Sequence, residues 1–114
     1  MVSLGAFPLT INSTIKQLKV DVLDIPSASI YPHLSKVVDF IHEALSNGGK
    51  VLVHCYAGVS RSTSCVIAYL MTHKAMEYYK SLYYVRKIRP VASPNMGFAK
   101  QLLQFEKDLI AKRV

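Results

Sequence analysis

The chain has 114 residues, of which 51% are apolar and 18% are charged. This length supports one small hydrophobic core, so we expect a single domain over residues 1–114, and the composition excludes an intrinsically disordered chain. The net charge of +7 favours an anionic partner, although charge alone does not separate nucleic acid from a phosphoprotein.

No apolar run approaches the roughly 20 residues that a membrane-spanning helix needs, and the first residues lack the features of a signal peptide. We therefore expect no membrane partner and a cytoplasmic location, with the nucleus as a second location. The two cysteines, Cys55 and Cys65, are too few for a disulfide framework and lack the spacing of zinc ligands. The sequence thus predicts no metal site and no cofactor, and Cys65 is interpreted as a small apolar residue packed within a helix.

The first half of the chain predicts two strands and a helix. Short strands are expected over Val2–Leu4 and Gln17–Val22, the second because apolar and charged residues alternate along it. After a loop with the sequence DIPSAS, an amphipathic helix is predicted over Tyr31–Ser46, with Pro32 near its start and the turn residues Asn-Gly-Gly after its end. The apolar stripe of this helix consists of Leu34, Val37, Val38, Ile41 and Leu45.

The second half predicts one strand and three helices. The apolar run VLV within Lys50–His54 is typical of a buried parallel strand. Helices are expected over Ser62–Met71, over Ala75–Lys87 and from Asn95 to about Lys112, the last with Phe98, Leu102, Phe105 and Leu109 on one face. Because strands alternate with helices, the predicted fold class is α/β, with a central, mostly parallel sheet flanked by helices.

The stretch VHCYAGVSRST, residues 53–63, lies between the end of the last predicted strand and the start of a helix. At this edge of an α/β sheet, inward-turned backbone N–H groups and a helix N-terminus form an anion site, and such sites lower a thiol pKa from about 8.5 to roughly 3.5–7.5. Cys55 is therefore expected to be a nucleophilic thiolate, and the Arg61 guanidinium to bind two phosphate oxygens. The predicted substrate-binding residues are Tyr56, Ala57, Gly58, Val59, Ser60 and Arg61.

The segment HCYAGVSRS matches the signature HCxxGxxR[ST] of cysteine-dependent phosphatases, and the wider run VLVHCYAGVSRSTSCVIAYLM resembles the dual-specificity protein phosphatases. The downstream run RPVASPNMGFAKQLLQFE is similar to the closing helix of the same family, so the resemblance extends from about Val20 onward. It implies a phosphatase-like fold in which Cys55 is the nucleophile, Arg61 the phosphate clamp and Ser62 the hydroxyl that helps the thiol leave. His54 resembles the residue that supports the nucleophile.

The resemblance also implies a general acid on the loop before the first long helix, where DVLDIPSASIYPHL supplies Asp24. Asp21 is the competitor, but it falls within the alternating strand, where a solvated face explains it. For Asp24 the alternative is a loop-capping aspartate. Asn95 matches an asparagine near the active loop of the family, where both a helix N-cap and a support for the site are open interpretations.

The signature loop lacks the lysines that lipid and RNA phosphatases of the superfamily carry, which favours a phosphoprotein substrate and no nucleic acid. No long recognition loop is visible, which implies a shallow pocket for phosphotyrosine, phosphoserine and phosphothreonine. Relative to the family, the sequence is expected to lack the N-terminal part of the domain.

The alternative function is a phosphoprotein-binding or interaction module with little turnover. In the tyrosine-rich segment AMEYYKSLYYVRK, Tyr79 and Tyr83 lie together on the outside if the core-facing residues are Tyr78, Leu82 and Val85. Such exposed aromatic pairs can anchor interfaces, so this pair is a candidate for self-association or partner contact.

Overall fold

In a computed structural model, residues 2–4, 18–20, 22–48, 53–55 and 60–113 are described, the strands and residue 113 by their backbone alone. Four helices are present in these ranges: α1 (Tyr31–Ser46), α2 (Ser60–His73), α3 (Tyr78–Ile88) and α4 (Met96–Arg113). Three short strands accompany them: β1 (Val2–Leu4), β2 (Leu18–Val20) and β3 (Val53–Cys55).

The three strands pair in the order β2-β1-β3, and both pairings are parallel. Leu4, the last residue of β1, lies opposite Val20 on one side and Cys55 on the other. The backbone of Cys55 therefore lies at the carboxyl end of its strand, beside the carboxyl ends of its neighbours.

The predicted fold class, α/β with a central, mostly parallel sheet flanked by helices, is wrong for the described part of the chain, which is predominantly helical. Helices of 16, 14, 11 and 18 residues compare with strands of only three residues each. Every described side chain of the main buried cluster belongs to a helix or to the segment 22–30. Among the side chains that the structure describes, the core is therefore formed by the helices and the segment 22–30. This cluster consists of Val22, Ile30, Leu34, Val37, Val38, Ile41, Cys65, Ile67, Ala68, Met71, Tyr78, Phe98, Leu102 and Phe105.

Helix α1 has the bounds that its apolar periodicity predicts. Its end is fixed by Gly48, whose φ of +74° lies in the left-handed region that glycine adopts without strain. One assigned core position is wrong, because Leu45 is 45% exposed whereas Ala44 is 3% exposed. At the last turn of the helix the core faces Ala44, so the apolar stripe ends one residue earlier than expected.

Helix α3 begins at Tyr78, three residues later than predicted. The cause is Ala75, whose φ of +53° is left-handed and incompatible with a helical turn. The first turn of α3 is instead tied to α4, because the backbone N–H of Tyr78 donates to Glu106 Oε2 at 2.6 Å. This carboxylate satisfies one of the N–H groups that a helix start leaves without an intrahelical partner.

The predicted orientation of α3 is confirmed. Tyr78 is buried, whereas Tyr79 and Tyr83 are 70% and 65% exposed, so both aromatic rings lie on the outer face. Cys65 is fully buried in α2, as interpreted from the sequence, and the expected inner face of α4 is buried at Phe98 and Leu102. The helical periodicity therefore identified most of the core correctly.

Within the ranges that the structure describes, none of the helices combines the length and the apolar character required to cross a bilayer.

Candidate active site

The signature segment runs from the end of β3 to the start of α2. Cys55 is the last residue of β3, and Ser60 is the first residue of α2. For His54 and Cys55 only the backbone is described. Four predicted phosphate-binding residues and the competing aspartate lie outside the described residues: Tyr56, Ala57, Gly58, Val59 and Asp21.

Arg61 and Ser62 lie in the first turn of α2, and both are buried. Arg61 Nη1 donates a hydrogen bond to the backbone carbonyl of Val22 at 3.2 Å. This bond joins the first turn of α2 to the start of the segment 22–30, which carries Asp24. The position of the guanidinium is thereby linked to the position of the candidate acid.

Asn95 connects three parts of the site. Its backbone N–H donates to Ser60 Oγ at 2.7 Å, and its side-chain Nδ2 donates to Asp24 Oδ1 at 2.9 Å. Its Oδ1 accepts a hydrogen bond from the backbone N–H of Phe98 at 2.8 Å, the geometry of a helix N-cap. Asn95 therefore makes the contact of a helix N-cap, and it also makes a contact that fits a support for the site, because its side chain donates to the Asp24 carboxylate.

Asp24 is exposed, and it accepts this bond with one of its two carboxylate oxygens. The structure therefore brings together Asp24, Asn95 and Ser60, and it joins Arg61 to the same segment through Val22. These residues come from three separate parts of the sequence and lie together beside the start of α2.

The segment that carries Asp24 is also clamped by Gln101 of α4. Gln101 Oε1 accepts hydrogen bonds from the backbone N–H groups of Ile30 at 2.7 Å and of Tyr31 at 2.8 Å. Its Nε2 donates to the backbone carbonyl of Ala28 at 2.9 Å. One amide side chain therefore satisfies donors at the start of α1, where no side-chain N-cap is present, and fixes the end of the segment 22–30.

Gly97 lies against the same segment. A Cβ atom added at this position would come within 1.9 Å of the carbonyl oxygen of Pro26, a backbone atom with no flexible side chain to move. Only glycine allows α4 to approach this closely, so Gly97 and Gln101 together hold the segment against the first turns of α4.

Sequence reasoning missed Gly97 and Gln101 as positioning residues. The signal for Gly97 was a glycine near the start of a strongly predicted helix, which costs about 0.5–1 kcal/mol relative to alanine and so indicates a packing reason. The signal for Gln101 was an amide beside Phe98 and Leu102, two residues of the predicted apolar face of this helix that are buried in the structure.

A second contact fixes the start of α1 on α4. The Tyr31 hydroxyl donates to Asp108 Oδ2, and Gln104 Nε2 donates to Asp108 Oδ1 at 3.0 Å. The hydrogen bond from Tyr31, followed by that from Gln104, lowers the pKa of the Asp108 carboxyl, and the same bond raises the pKa of Tyr31. The charged form of Asp108 therefore stabilises the contact between the start of α1 and α4. This contact directly follows the segment that carries Asp24.

Among the residues described, no group of three or more histidine, cysteine, aspartate and glutamate side chains is arranged to hold a metal ion.

Residues 6–108 match the family described as dual specificity phosphatase, catalytic domain. The chain is 42% identical over 105 residues to dual specificity protein phosphatase 15 of Rattus norvegicus, covering 92% of this chain and 44% of that protein. It is 46% identical over 90 residues to dual specificity protein phosphatase 1 of Arabidopsis thaliana, covering 79% of this chain and 46% of that protein. The chain thus spans about half the length of these curated relatives.

The fold is similar to the crystal structure of human DUSP28. The TM-score is 0.93 at 34% sequence identity, and the match covers 97% of this chain and 78% of that chain.

Proposed function

Because the chain belongs to the dual specificity phosphatase catalytic domain family, we propose that it hydrolyses phosphotyrosine and phosphoserine/phosphothreonine in proteins through a cysteinyl-phosphate intermediate. The observation that carries the proposal is the position of the signature segment, which joins the carboxyl end of β3 at Cys55 to the first turn of α2 at Ser60. Such a junction directs backbone N–H groups and the positive end of a helix towards a bound phosphate. The catalytic unit proposed is one domain over residues 1–114.

In the first chemical step, the Cys55 thiolate attacks phosphorus. The S–P bond forms, the bond from phosphorus to the ester oxygen breaks, and Asp24 gives its proton to the departing oxygen. The Arg61 guanidinium and the loop amides bind the phosphoryl oxygens, whose charge they stabilise in the transition state. The contact of Asn95 with Asp24 supports this role, because it holds the carboxyl group in one orientation.

In the second step, water attacks the phosphorus of the intermediate. The Asp24 carboxylate accepts a proton from the water, the S–P bond breaks, and inorganic phosphate leaves. The Ser62 hydroxyl donates a hydrogen bond to the sulfur as it regains its negative charge, and His54 supports the nucleophile from the adjacent position. The sequence of Tyr56, Ala57 and Val59, which has no lysine, favours phosphoproteins over more highly charged lipid or RNA phosphates.

The proposal is tested by phosphate release from p-nitrophenyl phosphate and from three matched peptides that carry phosphotyrosine, phosphoserine or phosphothreonine. We expect all four substrates to release phosphate, because a shallow pocket admits both aryl and alkyl phosphoesters. Tight binding of the phosphopeptides without phosphate release would instead favour an interaction module, and no release from any peptide would contradict a protein phosphatase.

Gly97→Ala tests whether the packing of α4 against the segment 22–30 positions the acid. The added methyl group must displace the Pro26 carbonyl, so we expect the free energy of unfolding to fall by about 1–3 kcal/mol. Hydrolysis of phosphoserine peptide is expected to fall by at least about tenfold more than hydrolysis of p-nitrophenyl phosphate, because p-nitrophenolate departs without a proton.

The matched control is Gly48→Ala. Substitution of Gly48 also lowers the stability of the protein because its φ is +74°. Among the described residues beyond its chain neighbours, however, no atom lies within 4 Å of the added methyl group, and the residue follows α1. We expect this variant to lose stability and to change both hydrolysis rates equally. Equal changes in the Gly97 variant as well would contradict the positioning role.

Partner contact, a role in signalling and the cellular location are further parts of this proposal. The exposure of Tyr79 and Tyr83 on one face of α3 supports contact with a partner or with a second copy of the chain. A role in signalling, in the cytoplasm with the nucleus as a second location, is likewise proposed.

A further inference from the structure

A cavity of about 270 Å³ lies between α2 and α3, beside the turn that follows α3. Its walls are mostly apolar and include Val66 of α2, three residues of α3, Tyr84, Val85 and Ile88, and Ala92 of the following turn. This volume is close to the lower end of the range of about 300–1,000 Å³ for ligand sites, so it fits one large side chain better than a whole cofactor.

One rim of the cavity is strongly exposed and apolar. Of the residues that line the cavity, Ile88 is 74% exposed and Tyr84 is 49% exposed. Exposed apolar side chains beside a cavity on a charged protein are typical of a binding surface. No side chain that the structure describes fills this cavity.

The cavity adjoins the proposed catalytic centre. Ser62 and Thr63, in the first turn of α2, both line it, and Ser62 is also the proposed catalytic hydroxyl. A phosphorylated residue held by the signature loop would therefore place its neighbours in the polypeptide within reach of the cavity.

The charge around the cavity favours an anionic occupant. Arg89 lines it directly, and Lys87 of α3, the residue before the lining residue Ile88, adds a second positive charge. Arg86 Nε donates to the backbone carbonyl of Ala92 at 2.9 Å, which holds the turn that forms one wall. An acidic peptide that carries a phosphate complements this basic surface and the net charge of +7.

We propose that the cavity between α2 and α3 binds an apolar side chain of the phosphoprotein substrate, next to the phosphorylated residue and within an acidic segment. This inference rests on the proposed function, because it treats the signature loop as the phosphate site. It makes the cavity a specificity pocket, in which burial of one apolar side chain adds to the binding of the phosphate.

The experiment uses acidic phosphotyrosine peptides in which a single leucine replaces alanine at each flanking position in turn. We expect one leucine position to raise kcat/KM about tenfold over the all-alanine peptide, a typical discrimination for an apolar pocket. Val66→Phe, which fills the cavity, and Ile88→Gln, which makes its rim polar, should each remove most of this preference. Hydrolysis of p-nitrophenyl phosphate, which has no flanking residues, should remain unchanged in Ile88→Gln.

Ile110→Gln is the matched control, because Ile110 is an exposed isoleucine of α4 that does not line this cavity. It should retain the leucine preference. The proposal would be overturned if no leucine position were preferred, if both cavity variants kept the preference, or if Ile88→Gln altered only the oligomeric state. Failure of the wild-type protein to hydrolyse p-nitrophenyl phosphate would instead refute the proposed function itself.

Discussion

Cys55→Ser is expected to reduce phosphate release from every substrate to the background of the assay. A serine hydroxyl stays protonated at neutral pH, so it cannot attack phosphorus as the thiolate does. We expect the backbone of β3 and the first turn of α2 to be unchanged by this substitution, so phosphopeptide binding should be retained. If Cys55→Ser binds a phosphotyrosine peptide in a titration but does not release phosphate, the variant has lost the nucleophile and kept the phosphate site.

Cys65→Ala is the matched control for the loss of a thiol. Cys65 is fully buried in α2 and has no proposed role in the chemistry, so its replacement should lower the free energy of unfolding without removing turnover. Substantial activity in Cys55→Ser would contradict the covalent mechanism. If turnover were lost only in the Cys65 variant, at a temperature where that variant is folded, Cys65 and not Cys55 would be the nucleophile.

Asp24→Asn is expected to reduce hydrolysis of phosphoserine peptide by roughly 10²–10⁴-fold, the usual contribution of general acid catalysis. The loss should be much smaller for p-nitrophenyl phosphate, whose leaving group departs unprotonated. Asparagine keeps the oxygen that accepts the hydrogen bond from Asn95 Nδ2 at 2.9 Å, so the contact with the cap of α4 is preserved while the acidic proton is removed. The measurement is kcat for a series of substrates whose leaving groups differ in basicity. As the basicity of the leaving group increases, kcat should fall more steeply in Asp24→Asn than in the wild-type protein.

Asp21→Asn is the comparison for the competing aspartate. If Asp24 is the acid, this variant should keep the wild-type dependence on the leaving group. The assignment would be wrong if Asp24→Asn left phosphoserine and aryl phosphate rates equally unaffected. It would also be wrong if the leaving-group effect appeared in Asp21→Asn instead.

Helical periodicity predicted the parts of the fold that depend on neighbouring residues along the chain. The bounds of α1, the burial of Cys65 and the outward position of Tyr79 and Tyr83 all follow from which side chains recur on one face of a helix. The late start of α3 did not follow, because the left-handed conformation of Ala75 is imposed by the junction between two helices and no glycine marks it.

The fold class was mispredicted because alternation of strands and helices was taken as evidence for a sheet at the centre. The strands are three residues long, and the described core is formed by the predicted apolar faces of α1 and α4 together with residues of α2, of which the sequence had identified only Cys65. Periodicity shows which face of a helix is buried, but it does not show whether a sheet or another helix covers that face.

Within the candidate site, the local signature and the long-range contacts differ in how far they could be predicted. The segment HCYAGVSRS is contiguous, so Cys55 and Arg61 could be proposed directly from their spacing. The contacts of Gln101 with Ile30 and Ala28 join residues about 70 positions apart, and no local pattern encodes such a pairing. The approach of Gly97 to Pro26 is also set by the packing of α4 in three dimensions.

The covalent intermediate can be trapped and located. Because the second step needs Asp24 to accept a proton from water, the Asp24→Asn variant should accumulate the phosphorylated form when it is mixed with an aryl phosphate and quenched in acid. Mass spectrometry of the digested protein should then locate one phosphoryl group on the peptide that contains Cys55. Continued turnover with no phosphoryl group on Cys55, or with the group on another residue, would contradict the cysteinyl-phosphate mechanism.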